Sequence, residues 1–211
     1  MRAGIRSRSC EACPSRTAGE GDAGLGRRWW LILIWVAVVL AQNLVHEAVH
    51  CGTAILTGEP IAEFRLFTNG FGTSQVVYVT PVADRVGAHW LLIAWLPAVV
   101  TVLLGYLVYF GRHRLVRPGR PVLSVTAWYA GLVLLLLDPF YFAVISVFTG
   151  GDPSAAQAVG WSPWPVRVVA LAVFAANLVL VLRWAREITT ARSGSQSRSS
   201  PAVGGRPSGS P

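Results

Sequence analysis

The sequence predicts an all-α integral membrane protein of about four transmembrane helices, with a short β-hairpin in the first outward loop. Three observations carry that prediction. Of the 211 residues, 53% are hydrophobic and only 13% are charged, against about 25% charged in ordinary soluble domains. The apolar residues gather into four blocks, Trp29–Thr57, Val86–Phe110, Val122–Phe148 and Val166–Trp184, each about the twenty residues a bilayer core demands of a helix. The arginines, which make up all 18 basic residues, stand mostly at the ends of those blocks.

Residues 1–28 and 186–211 are rich in Ser, Gly, Pro and Arg and are expected to be disordered tails around a membrane domain spanning 29–185. Within the first tail, Cys10 and Cys13 form a lone CxxC. It supplies two thiolates where a structural zinc site uses four ligands, so no role is assigned to it. The first span follows without a small-x-small cleavage site and reads as an uncleaved anchor. Cys51, near its end, is read as a small buried apolar residue. The connection after it contains Asn69-Gly70 between β-branched and aromatic residues, a strong two-residue hairpin signal. The third span carries Asp138-Pro139. That proline removes a backbone donor and is expected to kink or break the helix. The last connection, "FTGGDPSAAQAVGWSP", has two glycines before Asp152 that free the chain to turn back.

The formal net charge of +8 does not indicate a nucleic-acid partner, because the arginines flank the spans. Six precede the first span, four lie between the second and third, and five follow the fourth or close it. Arg65, Arg85 and Arg167 alone lie in the other two connections or at their edge. The positive-inside rule then places both termini and the middle loop in the cytoplasm. The composition is that of a GC-rich coding sequence, and the expected location is a prokaryotic plasma membrane.

His46, Glu47 and His50 spell H-E-x-x-H inside the first span. Residues four apart share a helix face, so the two imidazoles can take one metal ion and Glu47 can act as general base. Ionisable residues at membrane depth are costly and mark functional sites. Zn2+ suits imidazole ligands, and a catalytic zinc uses three protein ligands. His46 lies eighteen residues beyond Arg28, about 27 Å along a helix. With the arginine-derived orientation, that puts the motif near the outer edge of the hydrocarbon. Asn43, one turn earlier, is a candidate hydrogen-bond partner for a ligand histidine or for another helix.

The third ligand has two candidates. Asp138 can be a ligand, a partner to a histidine or a cap on the broken helix. Asp152 can be a ligand or, followed by Pro153, an ordinary helix N-cap. His89, beside Trp90, reads as an interfacial residue. The residues alone leave Asp138 and Asp152 level.

"HEAVHCGTAILTGEPIAEFRL" resembles the H-E-x-x-H helix of the site-2 protease family of intramembrane zinc metalloproteases, and is most similar to its small members. "GGDPSAAQAVGWSP" resembles their downstream aspartate segment, although the family's usual Asp-Gly is here Asp152-Pro153. The resemblance implies zinc held by His46, His50 and Asp152, with Glu47 as the catalytic base. It also implies hydrolysis of peptide bonds in membrane-associated protein substrates. The contrasting reading is a metal-binding membrane protein without catalysis, a sensor, transporter component or scaffold, in which Glu47 has no task. An edge of the hairpin is expected either to present itself to an extended substrate or simply to cover the site.

Overall fold

A computed structural model of the chain describes residues 20–68, 73–116 and 119–198. Four helical segments in it are long and apolar enough to cross a membrane: Trp29–Thr57, His89–Leu115, Pro121–Thr149 and Trp164–Thr190. The chain is an all-α membrane protein with one two-stranded antiparallel sheet. Helix α1 runs Glu20–Thr57, β1 Ile61–Thr68, β2 Thr73–Tyr78, α2 His89–Leu115, α3 Pro121–Phe140, α4 Ser146–Thr149 and α5 Trp164–Arg198.

The helices overrun the expected tail boundaries. Residues 20–28 continue α1 backwards and residues 186–198 continue α5 forwards, so those stretches are helical where disorder was expected. Once an apolar span has nucleated a helix, each further residue adds a hydrogen bond at little cost. Residues 1–19, with Cys10 and Cys13, and residues 199–211 lie outside the described residues.

Helix α3 is central and packs against α1, α2 and α5. Gly131 permits its close approach to α5. A Cβ there would lie 2.4 Å from Trp184 Cζ3, and small residues at such crossings let backbones approach. The Trp184 ring is almost fully buried and meets Tyr109 and Trp128 edge-on. At the arginine-bearing ends, Arg112 of α2 makes a two-pronged pair with Glu187 of α5, both contacts at 3.0 Å. Outward-facing residues such as Leu33, Leu107, Phe110 and Phe148 are exposed, as a lipid-facing surface requires.

Helix α3 ends at Phe140, one residue after Pro139, but the helical path does not break there. A single π-turn, Tyr141–Ile145, follows it and leads directly into α4. Proline has no N–H to offer the carbonyl four residues back, which is that of Leu135. Asn177 of α5, completely buried, takes up that carbonyl through Nδ2 at 2.8 Å. Its Oδ1 accepts the Tyr106 hydroxyl of α2 at 2.7 Å. One asparagine thus joins three helices where a proline has left a carbonyl free.

The hairpin pairs Ile61 with Tyr78, Phe64 with Val76 and Thr68 with Thr73, with irregular register near both ends. Asn69-Gly70, expected to form the turn, lies outside the described residues. The hairpin does not project from the end of α1 but folds back along it. Ser74 Oγ accepts a hydrogen bond from Asn43 Nδ2 at 3.0 Å, the Val76 backbone N–H faces the Glu47 carboxylate, and Tyr78 packs in a cluster with Ala54. Residues 74, 76 and 78 therefore rise beside residues 43, 47 and 54, so β2 runs alongside the H-E-x-x-H turns in the same direction.

Candidate metal centre

His46 and His50 stand one helical turn apart, both 7% exposed, with ring centroids 4.9 Å from each other. Each has its Nδ1 engaged by a different helix. His46 Nδ1 lies 3.1 Å from Asp138 Oδ2 of α3. His50 Nδ1 lies 2.7 Å from the Ile93 carbonyl oxygen of α2. A carbonyl can only accept, so His50 carries its proton on Nδ1, and an ionised Asp138 imposes the same tautomer on His46. With both imidazoles neutral, the two Nε2 atoms then hold bare lone pairs, and they face each other at 3.1 Å.

The Ile93 carbonyl is available for a reason written into α2. Its partner four residues on would be Pro97, buried inside the helix, which has no N–H. The same device that frees Leu135 for Asn177 frees Ile93 for His50.

Asp152 completes the group. Its Oδ2 lies 3.8 Å from His46 Nε2 and its Oδ1 3.8 Å from His50 Nε2. One ligand atom from each of the three residues falls within 4.8 Å of the other two. Neighbouring ligand atoms around a tetrahedral zinc sit about 3.3 Å apart, given metal–nitrogen distances of about 2.0–2.1 Å. The observed separations bracket that figure. Two converging lone pairs and a carboxylate form a donor set that fits a divalent cation such as zinc and repels itself without one.

The carboxylate reaches this position because its backbone is gripped on both sides. Trp95 Nε1 of α2 donates to the Asp152 carbonyl at 3.2 Å. The Tyr141 hydroxyl, presented by the π-turn after Pro139, lies against the backbone of Gly151 and Asp152. Gly150 and Gly151 have φ of +77° and +61°, a region that favours glycine. A Cβ on Gly151 would stand 2.0 Å from Tyr141 Oη. Pro153 opens the 3-10 segment Asp152–Val159, but Gly151 is its N-cap and no side chain caps it. The Asp152 carboxylate is turned to the histidines instead.

Asp138 takes a different place from Asp152. It is 5% exposed and accepts from three groups: His46 Nδ1, Gln42 Nε2 at 3.0 Å and the Thr101 hydroxyl. It sits on the Nδ1 side of His46, away from the converging Nε2 atoms, and orients that ring. Of its three readings, partner to a histidine is the one the geometry matches.

Glu47 is 7% exposed on the same helix, beside the first histidine and facing β2. Asn43 bonds to the hairpin at Ser74. His89 opens α2 and faces Glu59 at 3.9 Å, apart from the three-residue group. Cys51 is a half-buried free thiol.

Several contributors went unnoticed in the sequence. Gln42 had a signal, a long polar side chain one turn before His46 in an apolar run. Thr101, Trp95 and Tyr141 had none, since such residues are ordinary in membrane helices. The Ile93 carbonyl is visible only through Pro97. No family model matches the chain, and neither a curated protein nor a solved structure matches it.

Proposed function

We propose that the protein is an intramembrane zinc metalloprotease, of the site-2 protease kind, that hydrolyses peptide bonds of membrane-associated proteins. One observation carries the reading: the His46 and His50 Nε2 atoms and the Asp152 carboxylate converge, and Glu47, next to His46 in the chain, is buried on the same helix. Bound zinc supplies Lewis acidity, to polarise a carbonyl and to acidify a water molecule. Asp138 and the Ile93 carbonyl hold the two imidazoles with their Nε2 atoms bare and aimed at one point. Glu47 takes a proton from the attacking water and delivers it to the nitrogen of the departing amine. The hairpin, lying along α1 at that level, shields Glu47 from lipid. The arginine distribution supports an orientation with both ends of the chain in the cytoplasm of a prokaryotic cell.

The test is metal analysis and cleavage on the purified full chain in detergent, with fluorophore-labelled β-casein as the polypeptide probe. About one zinc per chain is expected in the wild type. Glu47→Gln is expected to keep the zinc and lose cleavage. Zinc-loaded wild type that cleaves nothing would make the protein a binding module rather than a hydrolase, and undiminished cleavage by Glu47→Gln would take Glu47 out of the reaction. A zinc-free protein that stays intact when both histidines are replaced would end the metal reading.

A further inference from the structure

Among the described residues, two buried side-chain atoms have no hydrogen-bond partner: Arg167 Nε and the Tyr78 hydroxyl. Arg167 still bonds through Nη2 to the Ser146 carbonyl at 3.0 Å. Tyr78 has nothing. A buried hydroxyl without a partner costs stability, so an orphan of this kind calls for an explanation in function or in a missing partner.

The surroundings of Tyr78 point to the metal centre. Its ring meets Trp90 edge-on at 5.3 Å and packs in a cluster with Ala54, Ile93 and Ala158. Ala54 lies one turn after His50, Ile93 supplies the carbonyl that orients His50, and Ala158 belongs to the 3-10 segment that Asp152 opens. Each neighbour thus belongs to an element that carries or orients one of the three residues. Two residues earlier on the same strand, the Val76 N–H faces Glu47. Trp90 and Arg85, whose guanidinium carbon sits 5.1 Å from the Tyr78 ring centre, also pack on the ring.

We infer that the Tyr78 hydroxyl is a substrate-contacting catalytic group: it donates a hydrogen bond to the carbonyl oxygen of the scissile peptide as that oxygen gains negative charge. This rests on the hydrolase reading above and names a protein donor that complements the metal there. The phenol is suited to the part. Burial first, then the neighbouring carboxylates of Asp152 and Glu47, push its pKa above the ordinary tyrosine value, so it keeps its proton and can only serve as a donor to an anion. The same hydroxyl, unpartnered while the site lacks substrate, is satisfied once the substrate oxygen arrives. Its contribution is therefore greater in the transition state than in the resting protein, which is what accelerates a reaction.

Tyr78→Phe removes one atom and no hydrogen bond of the resting protein. In the zinc-loaded full chain, kcat on labelled β-casein is expected to fall about 100-fold, the loss typical of one such donor, with KM changed less than about twofold. The thermal midpoint is expected to stay level or rise, because the orphan hydroxyl has gone. A purely structural role would lower the midpoint with the rate. A second readout needs no turnover: the cobalt-loaded protein, followed by its visible absorption, is titrated with acetohydroxamate, whose anionic oxygen stands in for the substrate's. Tyr78→Phe is expected to bind it about tenfold more weakly than wild type. Equal acetohydroxamate affinity in the two proteins overturns the assignment, as does an unchanged kcat or a fall in thermal midpoint that parallels the rate. Weaker acetohydroxamate binding in a protein that cleaves nothing would uphold the donor while ending the hydrolase reading.

Discussion

Replacing Pro97 by alanine tests how the protein aims His50. In the present structure the Ile93 carbonyl accepts from His50 Nδ1 at 2.7 Å because residue 97 has no N–H to offer it. Alanine restores that N–H, and the carbonyl must then serve both the helix and the histidine. A net hydrogen bond is worth about 1 kcal/mol. Sharing or losing it is expected to weaken zinc binding by roughly fivefold, somewhat below the 10–100-fold that such supporting partners typically contribute. Stability is expected to move the other way or not at all. Pro97 is fully buried, and the two lost methylenes cost about 1.6 kcal/mol. Removing a proline from a helix interior returns about 3 kcal/mol on propensity scales. The assay is a competition titration of zinc against a chelator on the detergent-solubilised variant, paired with a thermal melt of the metal-free protein. Weaker zinc binding with an unchanged or higher melt is the expected pair. Unaltered zinc affinity in a folded Pro97→Ala protein would refute the role given to the freed carbonyl.

The two aspartates are expected to separate cleanly. Asp152→Ala should lose zinc at stoichiometric loading, whereas Asp138→Ala should retain it at about 10–100-fold weaker affinity, as read by metal analysis and chelator competition. Asp138→Ala should also melt earlier, since His46, Gln42 and Thr101 lose a common acceptor. Gly151→Ala places a Cβ 2.0 Å from Tyr141 Oη in backbone of φ +61°, so zinc affinity should drop at least tenfold. Adding Tyr141→Phe should recover part of it by removing the clashing oxygen. Asn177→Leu strands the Leu135 carbonyl and the Tyr106 hydroxyl, and a loss of about 1–3 kcal/mol in stability is expected from denaturant melts. Zinc content should not change, because Asn177 touches none of the ligands.

Much of this architecture was legible in the sequence because its causes are local or compositional. A bilayer imposes its own length on apolar segments, and the four blocks can be read within a few residues of the spans found. The His46–His50 pair was legible for the same kind of reason: four residues on a helix share a face whatever surrounds them. The Asp-Pro in the third span announced a disturbed helix, and the glycines before Asp152 announced a turn. The hairpin was signalled by its composition, but its direction was not. Folding back along α1 depends on contacts with Asn43, Glu47 and Ala54, and each strand is silent about these.

The sequence by itself determined which chemistry the chain carries into the membrane: two imidazoles and a glutamate on one helix, and two aspartates elsewhere. Only the tertiary structure decided how they divide the work. Asp138 and Asp152 are equivalent as carboxylates. They differ because α3 brings one to the Nδ1 edge of His46, while the gripped loop brings the other to the Nε2 edge. The prolines show the same division of information. Pro97 and Pro139 each free a backbone carbonyl by covalent structure alone, but which side chain claims it is settled by the helix packed alongside. Hydrogen bonds between elements far apart in the chain leave no local pattern, since either partner is an ordinary residue until the fold places it.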